Sequence, residues 1–390
     1  VDDFNASQDE IEIKAEYQGT YDDTITKLKA AMQSDSGLPD VCQMYDVGTK
    51  FMYDSGAVIP VEDKFESTGY DKSSVMEVIS SYYTVDGKQY AMPFNVSTPM
   101  LYYNKDVFEA AGLDPETPPT TYDEVLEDAK KIVESGAAPV GYSQAIYGWF
   151  FEQQLAGLGV TYGNNDNGRK EAVTAVDFDS NGGGLKVFDM WKKLYDSGYF
   201  EDYGTTTADT QTAFFSGQVG MIIESTAILK NAVDSSPFEV GTGYLPRIEQ
   251  NDEGGVIIGG GSLWLTDTGN EANEDAAWKF IEYITTPDVQ AKWSMGTGYF
   301  AINEKAYETE DMKAYLKENP NFETAINQLK DSPVNCNTAG VLSGVQTEAR
   351  LTFNEIMPQV YDGKLTTQDA VDQLAVSVNK AIENYNESIK

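Results

Sequence analysis

The stretch Pro93-Phe94-Asn95-Val96-Ser97-Thr98-Pro99-Met100-Leu101-Tyr102-Tyr103-Asn104-Lys105-Asp106 decides how this chain is read. Proline at 99 pushes the residue before it out of the helical region, so Asn95 to Thr98 run extended with small polar side chains presented. A Leu-Tyr-Tyr strand follows at once. An extended polar segment running directly into a strand is how a chain passes from one lobe to another while lining a cleft.

Working outward, the chain alternates strand and helix signals. Ile11 to Tyr17 alternates apolar and polar residues, the period of a half-buried strand. Tyr21 to Met32 reads as a helix with Ile25, Leu28 and Met32 on one face, and Leu38 to Tyr45 as the next strand. That order predicts a βαβ unit and a mainly parallel sheet. Thr121-Tyr122-Asp123-Glu124 is a capping box whose helix buries Val125, Ala129, Ile132 and Val133 and stops at Gly136. A second box, Thr366 to Asp369, opens a helix with Val371, Leu374, Ala375, Val378 and Ile382 on one stripe. Leu185–Tyr195 and Ala276–Ile284 are helical in period.

The 390 residues suit two lobes better than one core. No apolar run reaches the roughly 20 residues that span a bilayer. A net charge of −36 repels nucleic acid and anionic lipid, so any anionic ligand must be held by a local site against the overall field. The chain has no histidine, which removes His-based triads and nearly all catalytic zinc sites. Cys42 and Cys336 lack metal-ligand spacing; two free thiols are expected, a single disulfide being the alternative. Asp177 to Gly182 starts like a calcium loop but carries Phe188 where the closing glutamate belongs, and Gly259-Gly260-Gly261 lacks the rest of a P-loop. No cofactor or metal is expected.

Only three arginines occur: Arg169 in a turn, Arg247 in a loop and Arg350 in a helix-period segment, Val345 to Val360. A guanidinium fork grips phosphate or carboxylate through paired hydrogen bonds. On spacing alone, an ion pair to one of the 63 acidic residues is the more ordinary explanation of an arginine. Trp149, Trp264 and Trp293 offer sugar-stacking rings or core packing.

The words PFN-STP-LYYNKD, Ile257-Ile258-Gly259-Gly260-Gly261-Ser262-Leu263-Trp264, and Gly340 to Gly344 followed by Arg350 resemble the solute-binding proteins of ABC importers, sugar type, that capture sn-glycerol 3-phosphate and its diesters. Phe215 to Met221 and Ala276 to Phe280 recur in the wider class. The resemblance runs over nearly the whole chain. It implies an α/β fold with two lobes of the periplasmic-binding type II kind, mainly parallel sheets flanked by helices, and three hinge crossings near Ser97, Gly260 and Phe300. One lobe would comprise 1–97 plus 260–300, the other 98–259 plus 301–390.

Carried over, the family's ligand site falls on Tyr21, Asp46, Ser97, Ser225, Gly260, Tyr299 and Arg350, with Arg350 holding the phosphate. Asp46 stands where the family has Glu. The aromatic that floors the family's pocket aligns with Ile146, so Trp149 or Tyr147 would supply the ring. The implied function is capture of sn-glycerol 3-phosphate or a glycerophosphodiester in the interlobe cleft, closure by hinge motion, and delivery to the permease. A neutral mono- or oligosaccharide, with Arg350 as an ion pair, is the alternative; a secreted glycoside hydrolase or lyase, or a surface adhesin, is remote. The expected partners are a small-molecule ligand and the permease subunits, with the protein itself a monomer. The expected location is extracytoplasmic, as a cell-surface lipoprotein or in the periplasm. Family members begin with a further strand, so a chain that opens at Val1-Asp2-Asp3-Phe4-Asn5 looks shortened at its front.

Overall fold

The computed structural model describes residues 1–34 and 37–389. The chain divides into two compact units, one of Val1–Val96 with Ile258–Lys317, the other of Ser97–Ile257 with Glu318–Lys390. The chain therefore passes between units three times, after Val96, Ile257 and Lys317, where the sequence pointed to 97, 260 and 300. Residues 301–317 group with the first unit for a local reason. The Ile302 N–H donates to Gln290 Oε1 at 2.9 Å and its carbonyl accepts from the Met76 N–H at 3.0 Å. Met312 joins Ala291, Ala301 and Ala306 in a small apolar cluster.

Eight strands form two four-stranded sheets: β1 Val41–Tyr45, β2 Val58–Ile59, β3 Met92–Ser97, β4 Pro99–Asn104, β5 Val140–Ser143, β6 Val219–Ser225, β7 Val240–Gly243 and β8 Gly259–Thr266. In the first unit the order is β1-β8-β2 with β3 also on β8; in the second it is β5-β6-β4-β7. β1 and β2 run antiparallel to β8, β6 and β7 run antiparallel to β4, and β5 runs parallel to its neighbour, β6. The expected mainly parallel sheet is thus corrected. Its cause is where the chain enters each unit. β4 and β8 start at an entry point and run away from it, against β6 and β1, which end there. Hence Pro99 faces Ser225, and Gly261 faces Tyr45.

The second correction is Ile11 to Tyr17, which is no strand. Its alternation would need a sheet to cover one face, yet Tyr17 is 91% exposed. The segment is tied instead by the Asn5 side chain, which donates to the Ile13 carbonyl and accepts from its N–H, both at 2.9 Å. Both capping boxes materialise, and the strand read over Leu38 to Tyr45 forms over Val41–Tyr45. Thr121 caps Tyr122–Ser135 with Glu124 returning the bond, and Gly136 ends that helix at φ 77°. Thr366 and Asp369 do the same for Thr367–Ser388, which buries Val371, Leu374, Ala375, Val378 and Ile382.

The second unit's core is aromatic. Phe353, on the Gln346–Tyr361 helix, meets Phe151, Phe188 and Trp191 at ring distances of 5.1, 5.4 and 5.5 Å. Burying such rings is the dominant stabilising term and fixes that helix against Gly148–Gly157. The crossing is close because Gly148 has no side chain: a Cβ there would lie 2.5 Å from Arg350 Cα.

Candidate functional site

Each unit gathers polar residues at the edge of its sheet where strands end and begin. In α/β proteins ligands gather at carboxyl ends of strands. In the first unit that edge holds the end of β1 and the start of β8. Asp46 follows β1 directly, opening a short 3₁₀ turn, and is 5% exposed. Gly260 adopts φ 100°, and a Cβ there would fall 1.8 Å from the Asn95 carbonyl oxygen, so only glycine lets β3 and β8 approach here. Tyr21 is the first residue of the Tyr21–Met32 helix, held by the Thr20–Asp23 capping box. Its ring stacks on Tyr45 at 4.8 Å and 7°. Its hydroxyl lies beside Gly261, where a Cβ would be 3.1 Å away.

Burial pushes the Tyr21 hydroxyl up to about 12, helped by neighbouring Tyr299 and Asp46 and opposed by a hydrogen bond with Asn95. Burial likewise raises Tyr299, which follows the left-handed Gly298 that ends Pro287–Thr297. Tyr83 is raised by burial and then by the Asp46 charge. Its buried hydroxyl and the Asn95 Oδ1 carry no hydrogen bond. All three phenols stay protonated at neutral pH and can donate. The set of Tyr21, Asp46, Tyr83, Asn95 and Tyr299 thus offers one carboxylate and several neutral donors and acceptors. It contains no cation.

In the second unit the matching edge holds the ends of β5 and β6 and the start of β4. Ser97 is 5% exposed, and the neighbouring Thr98 and Thr226 exchange two hydrogen bonds, Thr98 N–H to Thr226 Oγ1 at 3.1 Å and Thr226 N–H to the Thr98 carbonyl at 2.8 Å. Ser225 ends β6, and its Oγ accepts from the Ala227 N–H at 3.1 Å. Gln144, just past β5, is fully buried; its Oε1 accepts from Tyr142 at 2.6 Å while its Nε2 has no partner. Glu224 accepts from Gln211 Nε2 at 3.0 Å and the Ser225 N–H at 2.7 Å, yet burial outweighs both and raises its carboxyl.

Arg350 is buried in this unit and forks onto Glu152. Nε and NH2 donate to Oε1 and Oε2, each at 2.7 Å, with both side chains 8% exposed. Gln346 Nε2 adds a third bond to Glu152 Oε1 at 3.0 Å. Arg169 donates to the Gly340 and Ala339 carbonyls, tying its turn to that loop, and Arg247 is exposed. Trp149 is 5% exposed among Tyr147 and Phe150 rings, Ile146 is fully buried, and Trp264 is fully buried with its N–H on Ser262 at 2.9 Å. Trp293 is half-buried and stacks on Phe94 at 4.8 Å. Cys42 and Cys336 are both free.

The structure brings Tyr21, Asp46, Gly260 and Tyr299 together in the first unit; in the second it sets Gly148, the residue before Trp149, against Arg350, and Ser225 ends β6 opposite Pro99, two residues after Ser97. Sequence reasoning missed Tyr83, Gln144, Glu152 and Glu224. For Glu152 a signal existed: Glu152-Gln153-Gln154 interrupts the apolar Trp149-Phe150-Phe151 run, and polar residues inside a buried helix demand partners.

A family model described as bacterial extracellular solute-binding protein matches residues 1–324. The sn-glycerol-3-phosphate-binding periplasmic protein UgpB of Escherichia coli (strain K12) is 30% identical over 394 residues, covering 99% of this chain and 89% of that protein. The cyclic α-maltosyl-1,6-maltose binding protein of Arthrobacter globiformis has a TM-score of 0.81 at 26% identity, covering 98% of this chain and 94% of that one. UgpB of Mycobacterium tuberculosis, solved with glycerophosphocholine, has a TM-score of 0.83 at 21% identity, covering 99% and 94%. No helix among the described residues is long and apolar enough to cross a membrane. The two-unit α/β architecture, the family match and the identity over nearly the whole length agree: this chain belongs to the bacterial extracellular solute-binding proteins, the ligand-capturing components of ABC importers and not enzymes.

Proposed function

We propose that the captured solute is a neutral polyhydroxylated molecule, a sugar or short oligosaccharide, handed on to the importer's permease. The observation that carries this reading is Arg350: its guanidinium, to which the resemblance assigns the phosphate, is already forked onto Glu152. A buried pair of this kind has no net charge to offer a dianion. The polar groups at each unit's own sheet edge suit hydroxyls. Asp46 accepts from sugar hydroxyls, and Tyr21 and Tyr299 donate or accept, while Gln144 Nε2 is an unpaired donor. The 26% identical relative from Arthrobacter binds an oligosaccharide.

A second reading, sn-glycerol 3-phosphate or a glycerophosphodiester, is supported by the 30% identity with UgpB of E. coli over 99% of the chain. The Gly340–Gly344 segment with Arg350 and the hydroxyls of Ser97 and Ser225 also favour it. The protein would act as a monomer at the cell surface, lipid-anchored, or in the periplasm.

A thermal-shift panel on ligand-stripped protein separates the readings. A ligand at 100 times its dissociation constant stabilises by about 2.7 kcal/mol. Some neutral sugars should raise the melting midpoint and the phosphate esters should not. Esters acting alone would replace the first reading with the second.

A further inference from the structure

We infer that Glu152 is a specificity residue: its carboxylate occupies, within the protein itself, the seat in which Arg350 would otherwise hold a ligand phosphate. This rests on the reading of Arg350 and its surroundings as part of the binding site. Three donors converge on Glu152, namely Arg350 Nε, Arg350 NH2 and Gln346 Nε2, at 2.7, 2.7 and 3.0 Å. A planar two-point fork reinforced by an amide is the donor set that recognises a phosphate or carboxylate oxygen pair.

Here the anion is covalently supplied. Glu152 comes from the same helix as Gly148 and Trp149, and the missing side chain at Gly148 brings that helix against Arg350. Being tethered, the carboxylate competes at an effective concentration no free solute reaches. Both side chains are nearly buried, so an incoming phosphate would have to displace Glu152 and leave its charge without a partner in a dry site. The consequence is exclusion of phosphate monoesters and diesters, with uncharged polyols unaffected by the pair. Conversely, removing the charge at 152 frees a three-donor seat for them.

The test uses the full chain, with sn-glycerol 3-phosphate and the best neutral sugar from the panel titrated in phosphate-free buffer. Glu152→Gln should bind glycerol 3-phosphate more tightly than wild type by on the order of 10- to 100-fold, the worth of a hydrogen bond to a charged group. Its melting midpoint should rise with added glycerol 3-phosphate, where the wild type's stays put. The double variant Glu152→Gln with Arg350→Gln should lose that gain. Should Glu152→Gln fail to fold, Glu152→Asp keeps the charge and withdraws it by one methylene, and a smaller gain is expected. Sugar binding by wild type with no phosphate gain in a folded 152 variant overturns the inference alone. An equal gain in the double variant also overturns it, since the seat would not run through Arg350. Tight glycerol 3-phosphate binding by wild type overturns both the inference and the neutral-solute reading.

Discussion

At Arg350 two demands meet. A buried guanidinium must be neutralised, and a phosphate site of the kind proposed for its relatives would need that charge left available; Glu152 meets the first at the expense of the second. Breaking such a pair on one side strands a charge in a dry interior. Arg350→Met should therefore cost about 3–5 kcal/mol of stability in urea denaturation, while Glu152→Leu combined with Arg350→Met should recover most of it. Equal losses in the single and double variants would mean the pair is not buried as described.

Asp46→Asn tests the other unit. Weakening a charged acceptor should lower polyol affinity about 10- to 100-fold, seen by titration, with the melting midpoint of the free protein hardly changed. An unaltered affinity would remove Asp46 from the site.

Glu224 predicts a pH effect of definite sign. Its folded-state carboxyl is raised by burial, so the folded state holds the proton more tightly than the unfolded chain does. Stability is then lost as pH climbs through the unfolded value of about 4.3 towards the folded one. Glu224→Gln does not titrate, so its stability relative to wild type should grow between pH 4 and pH 7 in urea denaturation. A difference independent of pH would contradict it. The sequence made Arg350 legible as one of three arginines, but its partner lies 198 positions away, and such pairings leave no local trace.

Among elements, what could be read was what is decided locally. Both capping boxes and the apolar stripes behind them formed where predicted, because a cap and a helical stripe depend on neighbours three or four residues away. Sheet direction is not local. β4 and β8 run against β6 and β1 because of where the chain enters each unit, which no window of sequence encodes. Ile11 to Tyr17 carries the right period but no strand beside it, and alternation without a neighbour is only an extended chain. At the β3–β8 contact, Gly260→Ala places a Cβ against the Asn95 carbonyl at a φ that L-residues avoid. The cost should be at least roughly 2 kcal/mol in denaturant unfolding, since one strained φ accounts for about 1–3 kcal/mol before the clash. A neutral result would mean β3 and β8 do not approach as described.

For the whole molecule, the charge of −36 sets the conditions under which everything else operates. Self-repulsion of that size opposes compaction, and salt screens it over a Debye length that falls from about 10 Å at 0.1 M to 3 Å at 1 M. The melting midpoint should rise with sodium chloride, by about 2–4 °C for each kcal/mol of repulsion relieved. A flat response would mean the acidic groups are already locally paired. The same field disfavours an anionic solute, as does the pairing of Arg350 with Glu152.

The decisive measurement is calorimetric titration of ligand-stripped wild-type protein with sn-glycerol 3-phosphate in phosphate-free buffer. The expected result is no specific heat from glycerol 3-phosphate, in a sample that does bind a neutral sugar. Tight one-to-one binding of glycerol 3-phosphate would contradict the account and give Arg350 back to the ligand.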